Sequence, residues 1–230
     1  GVLHDCVAEI IPIEPDAGNA AAGIASTIVM VCEAVSIPYC LFKYANRGTS
    51  ANDNSMRYLC VLTIAGSDSC GGAGVQADIK TMSALGVYAA SAITSVTVQN
   101  TLGVTAIQAI ESAIVAGQIK AVMDDIKPVA IKIGMVNDCA TIHAIADSLS
   151  SYSPSKLVVD PVMVSTSGSM LMQRDALEVF CSELLPMATL LTPNIPEAEV
   201  LSKTEIHTAD DMDVVAKRIL AMGCKAVLIK

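Results

Sequence analysis

The sequence predicts an α/β fold: a central, mostly parallel sheet covered by helices on both faces. Three observations carry this. From about residue 59 onward, short, continuous runs rich in Val, Ile and Leu recur, without the apolar–polar alternation of a half-exposed sheet. Between them lie segments with helical spacing of apolar residues, the first and the last of them closed by Gly86 and Gly223. The chain is 53% hydrophobic and only 16% charged, a balance that demands a packed core and excludes a disordered chain. Aromatic residues make up 3% of it, so that core is built from Ala, Val, Ile, Leu and Met.

The elements follow in order. The apolar run 61–65 reads as a strand, followed by a glycine-rich loop and a helix over 76–85 that Gly86 closes. A second strand is predicted at 91–98. Helices follow near 112–123, 140–149, 174–184, 196–201 and 209–222, with strands between them at 130–133, 156–159, 189–191 and 226–229. Thr208, with Asp211 three residues later, predicts a capping box at the start of the last helix.

The first 55 residues read differently and are assigned to a separate N-terminal extension and linker, with the α/β domain running from 56 to 230. The Pro-spaced stretch 11–15 cannot be helical. Residues 17–35 are small and apolar but interrupted by Asn19 and Glu33, weak for a membrane span and, without a basic flank, weak for a signal peptide. They read as a helical appendage, and residues 46–55 as a polar linker.

Fourteen basic against 23 acidic residues give a formal charge of −9, which argues against a nucleic-acid backbone or an anionic membrane as partner. A phosphorylated small molecule remains open, because backbone N–H groups, one Lys and a divalent cation can hold phosphate locally. The eight cysteines form no CxxC pair and no zinc spacing with the three histidines, so they read as reduced, structural residues of a cytoplasmic chain.

In an open parallel sheet, ligands bind outside the carboxyl ends of the strands. Polar and turn-forming residues collect there: Gly66-Ser67-Asp68, Gln99-Asn100, Gly134-Met135, Asp160-Pro161, Thr192-Pro193-Asn194 and Lys230. Each alone is ordinary turn chemistry; the whole series reads as one site. The loop from Gly66 to Gly74 lacks both the Walker A and the GxGxxG spacing, so it serves either as a strand-to-helix turn or as bare backbone that a small ligand can approach. Asp78, placed in the first helical turn, suits either the helix dipole or a ligand donor. Gln99 offers both a carbonyl and an amide to a heterocycle edge. Asn194 and Glu197, three residues apart near a helix start, fit either a cap or the orientation of Mg²⁺ and its water.

The run Ala65-Gly66-Ser67-Asp68-Ser69-Cys70-Gly71-Gly72-Ala73-Gly74-Val75-Gln76-Ala77-Asp78-Ile79-Lys80-Thr81 closely resembles the signature of the hydroxymethylpyrimidine/phosphomethylpyrimidine kinases of thiamine biosynthesis, a branch of the ribokinase-like superfamily. Ser83-Ala84-Leu85-Gly86-Val87-Tyr88, Val98-Gln99-Asn100-Thr101, Lys132-Ile133-Gly134-Met135, Val159-Asp160-Pro161-Val162-Met163 and Leu191-Thr192-Pro193-Asn194 extend it in order. The resemblance implies a three-layer α/β/α fold and transfer of the ATP γ-phosphoryl group to 4-amino-5-hydroxymethyl-2-methylpyrimidine and then to its monophosphate. It implies an aminopyrimidine lying over Gly66, held by Asp78 and Gln99 between Met135 and Val162. It implies a phosphate side formed by Asp160, Asn194 and Lys230, with Asp160 and Glu197 toward Mg²⁺.

Two departures accompany it. The family continues past the strand that ends here at Lys230 into a glycine pair and, later, a Gly-Thr-Gly-Cys-type loop holding the residue that activates the nucleophile; the fold is expected to be incomplete at the C-terminus and that residue to lie beyond Lys230. The first 55 residues also fall outside the pattern. The expected partners are therefore a pyrimidine substrate and ATP, in a chain that resembles proteins which are often dimeric. A pyridoxal kinase of the same branch and a truncated, non-catalytic pyrimidine binder are the alternatives.

Overall fold

The computed structural model describes residues 11–12, 28–29, 59–163 and 171–230. Residues 56–58 of the expected domain and most of the expected extension, including the linker at 46–55, lie outside the described residues. Within the stretch 17–35 the structure describes only Ile28–Val29, a two-residue strand paired antiparallel with Ile11–Pro12; the rest of the expected helical appendage lies outside the described residues.

The main sheet has six strands. In chain order they are β1 (Cys60–Asp68), β2 (Tyr88–Asn100), β3 (Gly103–Ala109), β4 (Ala130–Ile133), β5 (Leu157–Val159) and β6 (Leu190–Leu191). Their spatial order is β3-β2-β1-β4-β5-β6, and every neighbouring pair is parallel except the β2–β3 hairpin. Strand β3 is not among the predicted elements. Its residues Thr105, Ala106, Ile107, Gln108 and Ala109 are all exposed, so no apolar run marks it. The strand predicted at 226–229 is reduced to a single parallel bridge, Leu191 to Val227, flanked by hydrogen bonds from Leu191 N to Ala226 O and from Leu228 N to Leu191 O.

The helices are α1 (Gly74–Ala84), α2 (Ser112–Asp125), α3 (Cys139–Tyr152), α4 (Ala176–Val179), α5 (Ile195–Ser202) and α6 (Ala209–Leu220). The single helix predicted at 174–184 is instead irregular: α4 passes into a π-turn at Phe180–Leu184 and a 3₁₀ turn at Leu185–Met187, where Pro186 has no backbone N–H to donate to an α-helix. The capping box of α6 is present as predicted, with Thr208 accepting from Asp211 N and Asp211 accepting from Thr208 N.

Alternate residues of the strands feed two apolar layers, as the pleat requires. Leu62, Ile64, Ile131, Ile133, Leu157 and Val159 join Ile119 of α2 and Ile142 and Ile145 of α3 in the large cluster. Val61, Ala130 and Val158 point the other way and pack with Met82 of α1. The sheet is therefore covered on both faces, which explains why the strand sequences read as continuous apolar runs. Cys60 and Cys224 are buried in this core, as predicted for the cysteines, and burial pushes the Cys224 thiol up to about 11; Cys70, by contrast, is exposed in the glycine loop. No helix among the described residues is long and apolar enough to cross a membrane.

Candidate functional site

Each parallel strand ends at the same edge of the sheet, and there the expected residues fall into two clusters. The first surrounds the loop after β1. The β1–β2 ladder shifts register between Ala65 and Ser67, which places Gly66 at an irregularity, and the β2–β3 ladder shifts again between Val98 and Gln99. Such breaks re-aim side chains and recur beside functional sites. Gly66 is buried, and a Cβ there would stand 2.9 Å from Ser95 Oγ and 3.1 Å from Met135 Sδ, so Gly66 and Met135 are neighbours.

Asp68 shapes the loop, a role that residue spacing did not reveal. Its Oδ1 accepts from Cys70 N at 2.8 Å, and its Oδ2 accepts from Gly72 N at 3.0 Å and Ala73 N at 2.9 Å. Three backbone donors on one buried carboxylate fix the curve of a segment that has few side chains of its own. Gln76 of α1 ties down the loop's start, accepting from Asp68 N and donating to Ser67 Oγ. Gly74 is obligatory: its φ is +56°, and a Cβ would lie 2.2 Å from Gly66 O.

Gln99 approaches this loop from β2. Its backbone N–H donates to Ser69 Oγ at 3.0 Å, the Ser69 hydroxyl donates to Gln99 O at 2.7 Å, and its side-chain Oε1 accepts from Thr97 Oγ1 at 3.1 Å. Residue Gln99 as a whole is half-buried beside the loop.

Asp78 departs from the sequence reading. The helix begins at Gly74, two residues earlier than predicted, so Asp78 lies in its second turn, where dipole complementarity is spent. The side chain is buried between strand and helix instead: Oδ2 accepts from Thr63 Oγ1 at 2.5 Å and from Lys132 Nζ at 2.7 Å. Lys132 is 5% exposed, a charged residue inside the apolar strand Ala130–Ile133, and that anomaly was the available signal.

The second cluster gathers beyond β5 and β6. Asp160 Oδ1 accepts from Lys230 Nζ at 2.9 Å and from Thr192 Oγ1 at 3.2 Å. Lys230, 70 residues away in sequence, is held by its own N–H to Pro193 O. Asn194 and Glu197 form a complete capping box for α5: Glu197 N donates to Asn194 Oδ1, and Asn194 N donates to Glu197 Oε2, both at 2.9 Å. Glu197 Oε1 also accepts from Met163 N at 3.5 Å. The cap is thus real, and Glu197 is oriented by it. Burial, reinforced by the neighbouring Asp160 carboxylate, pushes the Glu197 carboxyl up to about 7, against the pull of the Asn194 and Met163 N–H groups and of Lys230. Val162 stands half-buried after the Asp160-Pro161 turn, its N–H bonded to Asp160 O.

Among the described residues no group of three or more His, Cys, Asp and Glu could hold a metal ion. Two carboxylates, Asp160 and Glu197, are what the cluster offers, a donor set compatible with Mg²⁺ only when phosphate and water complete its shell. The two described histidines take no part: His143 pairs at the surface with Glu183 at 2.8 Å, and His207 with Glu205 at 3.1 Å.

Residues 68–230 match the family model for phosphomethylpyrimidine kinase. A hydroxymethylpyrimidine/phosphomethylpyrimidine kinase of Rhizobium meliloti is 50% identical over 171 residues, covering 74% of this chain and 64% of that protein. The crystal structure of a phosphomethylpyrimidine kinase from Clostridium difficile superposes with a TM-score of 0.71 at 50% identity, covering 75% of this chain and 74% of that one. A pyridoxal kinase from Staphylococcus aureus, solved in complex with AMP-PCP and pyridoxal, gives a TM-score of 0.67 at 32% identity over 76% of this chain and 62% of that one. The chain spans a little under two thirds of the Rhizobium relative's length. On these matches, and on the strand-end motifs read in order along the sequence, the chain belongs to the phosphomethylpyrimidine kinase family.

Proposed function

We propose that the chain carries the substrate side of an ATP-dependent kinase acting on 4-amino-5-hydroxymethyl-2-methylpyrimidine and its monophosphate, in thiamine biosynthesis. The observation that carries this reading is the convergence of the two clusters on one sheet edge. One is a bare glycine loop walled by Met135 and approached by Gln99. The other is a Lys230–Asp160 pair beside a buried Glu197.

In this reading the planar ring lies over the Gly66 loop, where the missing Cβ lets Ser95 and Met135 pack against the backbone. Met135 and Val162 wall it, and Gln99 and the Asp78 carboxylate meet its polar edge. Holding the hydroxymethyl oxygen in one place removes much of the barrier to a transfer that depends on alignment and charge neutralisation. Lys230 stands where a nucleotide phosphate would replace part of its contact with Asp160. Asp160, with Glu197 behind it and Asn194 fixing the turn, would hold Mg²⁺, whose contribution is to neutralise charge on the transferring phosphate. No described residue is assigned the activation of the substrate hydroxyl.

The pyrimidine is favoured over pyridoxal because identity is 50% to the Rhizobium and Clostridium pyrimidine kinases and 32% to the pyridoxal kinase. The test is to incubate the chain with Mg-ATP and either acceptor and to measure ADP release and acceptor binding together. The reading predicts binding of the pyrimidine and acceptor-dependent ADP release with it in preference to pyridoxal. Preference for pyridoxal overturns the substrate assignment, and pyrimidine binding without ADP release makes the chain a binder and not a kinase.

A further inference from the structure

The buried pair Lys132–Asp78 has a geometry that a purely structural role does not require. Replacing a buried ion pair with apolar residues of similar volume is often neutral or stabilising, so core stability alone is a weak reason for placing one between β4 and α1. Both donors that reach Asp78, Lys132 Nζ at 2.7 Å and Thr63 Oγ1 at 2.5 Å, converge on one oxygen, Oδ2. Among the described residues Oδ1 has no hydrogen-bond partner, and the Asp78 side chain keeps 6% of its surface exposed. The residue after Ile133 is adapted to the ammonium as well: a Cβ on Gly134 would meet Lys132 Nζ at 2.8 Å and Ala65 Cβ at 3.1 Å. The next residue is Met135, whose sulfur approaches the place where a Cβ on Gly66 would stand. One strand end therefore supplies the cation that fixes Asp78, the space that cation needs and a wall of the pocket.

We infer that Lys132 is a positioning residue: it holds Asp78 as a charged, rotationally fixed carboxylate whose Oδ1 accepts a hydrogen bond from an N–H or O–H group of the bound pyrimidine. The inference rests on the pyrimidine reading of the pocket. A carboxylate without this partner would be an unpaired buried charge, free to turn Oδ2 away. Lys132 touches no ligand atom and acts through Asp78 alone.

The test is a double-mutant cycle read by calorimetric titration of 4-amino-5-hydroxymethyl-2-methylpyrimidine into the full chain, with a thermal melt of every variant. Lys132→Met and Asp78→Asn should each weaken binding by about tenfold or more, as loss of one member of a charge pair does. The double variant should bind no worse than Asp78→Asn alone, because Lys132 works only through the carboxylate. If Lys132→Met does not melt cooperatively, the decision passes to Lys132→Arg, which keeps the charge; it should retain measurable binding that a second change, Asp78→Asn, abolishes. Unchanged affinity in Lys132→Met, penalties that multiply in the double variant, or a folded Lys132→Arg that has lost binding would each overturn the inference. A parent chain that does not bind the pyrimidine overturns the pocket reading itself, whereas a binding parent with an indifferent Lys132 overturns only this inference.

Discussion

A Cβ on Gly74 would stand 2.2 Å from the Gly66 carbonyl oxygen, on a backbone with φ of +56°. Gly74→Ala therefore meets both a left-handed conformation, costing about 1–2 kcal/mol, and a backbone clash. The variant should lower the melting temperature and weaken ligand binding together, since the same displacement opens the loop. Glu197 makes the second prediction at this scale. Its carboxyl is pushed up from the ordinary 4.5 to about 7, chiefly by burial. The folded state thus binds the proton more tightly than the unfolded chain. The stability this contributes is complete below about pH 4.5 and is lost as pH rises to about 7. The swing is of the order of 3 kcal/mol, at roughly 1.4 kcal/mol per pKa unit. Urea titrations at pH 5 and pH 8 should show it in the parent and not in Glu197→Gln, which keeps an oxygen for the cap; parallel behaviour of the two would contradict it.

Elements carry the next predictions. The pair between β4 and α1 fastens the helix that follows the glycine loop, so Lys132→Met alone should destabilise by about 3–5 kcal/mol, as removal of one partner of a buried pair does. The additional change Asp78→Asn should restore part of that loss, read by chemical denaturation. The capping box on α6 is exposed, and Thr208→Ala should cost about 0.5–2 kcal/mol without altering ligand binding. Elements were legible where pattern and caps agreed. The cores of β1, β2, β4 and β5, and α6 with its cap, lie where apolar runs and turn residues placed them. Hairpin strand β3 was not legible, because an exposed edge strand needs no apolar face. The start of α1 was misplaced because Gly74, a poor helix former, begins it. The bridge at Val227 is too short for a pattern to distinguish from a strand.

Across the whole molecule, a parallel sheet brings residues from Gly66 to Lys230 to one edge, so a site dispersed over more than 160 positions becomes local. Which residue types gather there was legible in the sequence, since strand ends are marked by where apolar runs stop. Their partners were not: Asp160 with Lys230, and Asp78 with Lys132, are contacts across 70 and 54 residues that only strand order decides. The roles proposed for Gly66, Asp78, Gln99 and Met135 all depend on a pyrimidine lying between the Gly66 loop and Gln99. The direct measurement is calorimetric titration of 4-amino-5-hydroxymethyl-2-methylpyrimidine into the chain and into Gln99→Ala, both checked for folding by melt. Saturable binding to the parent is expected, with a loss of about tenfold in affinity on removal of the Gln99 amide, roughly the value of one or two hydrogen bonds. Absence of binding to the parent, or equal affinity in a folded Gln99→Ala chain, would contradict the pyrimidine site.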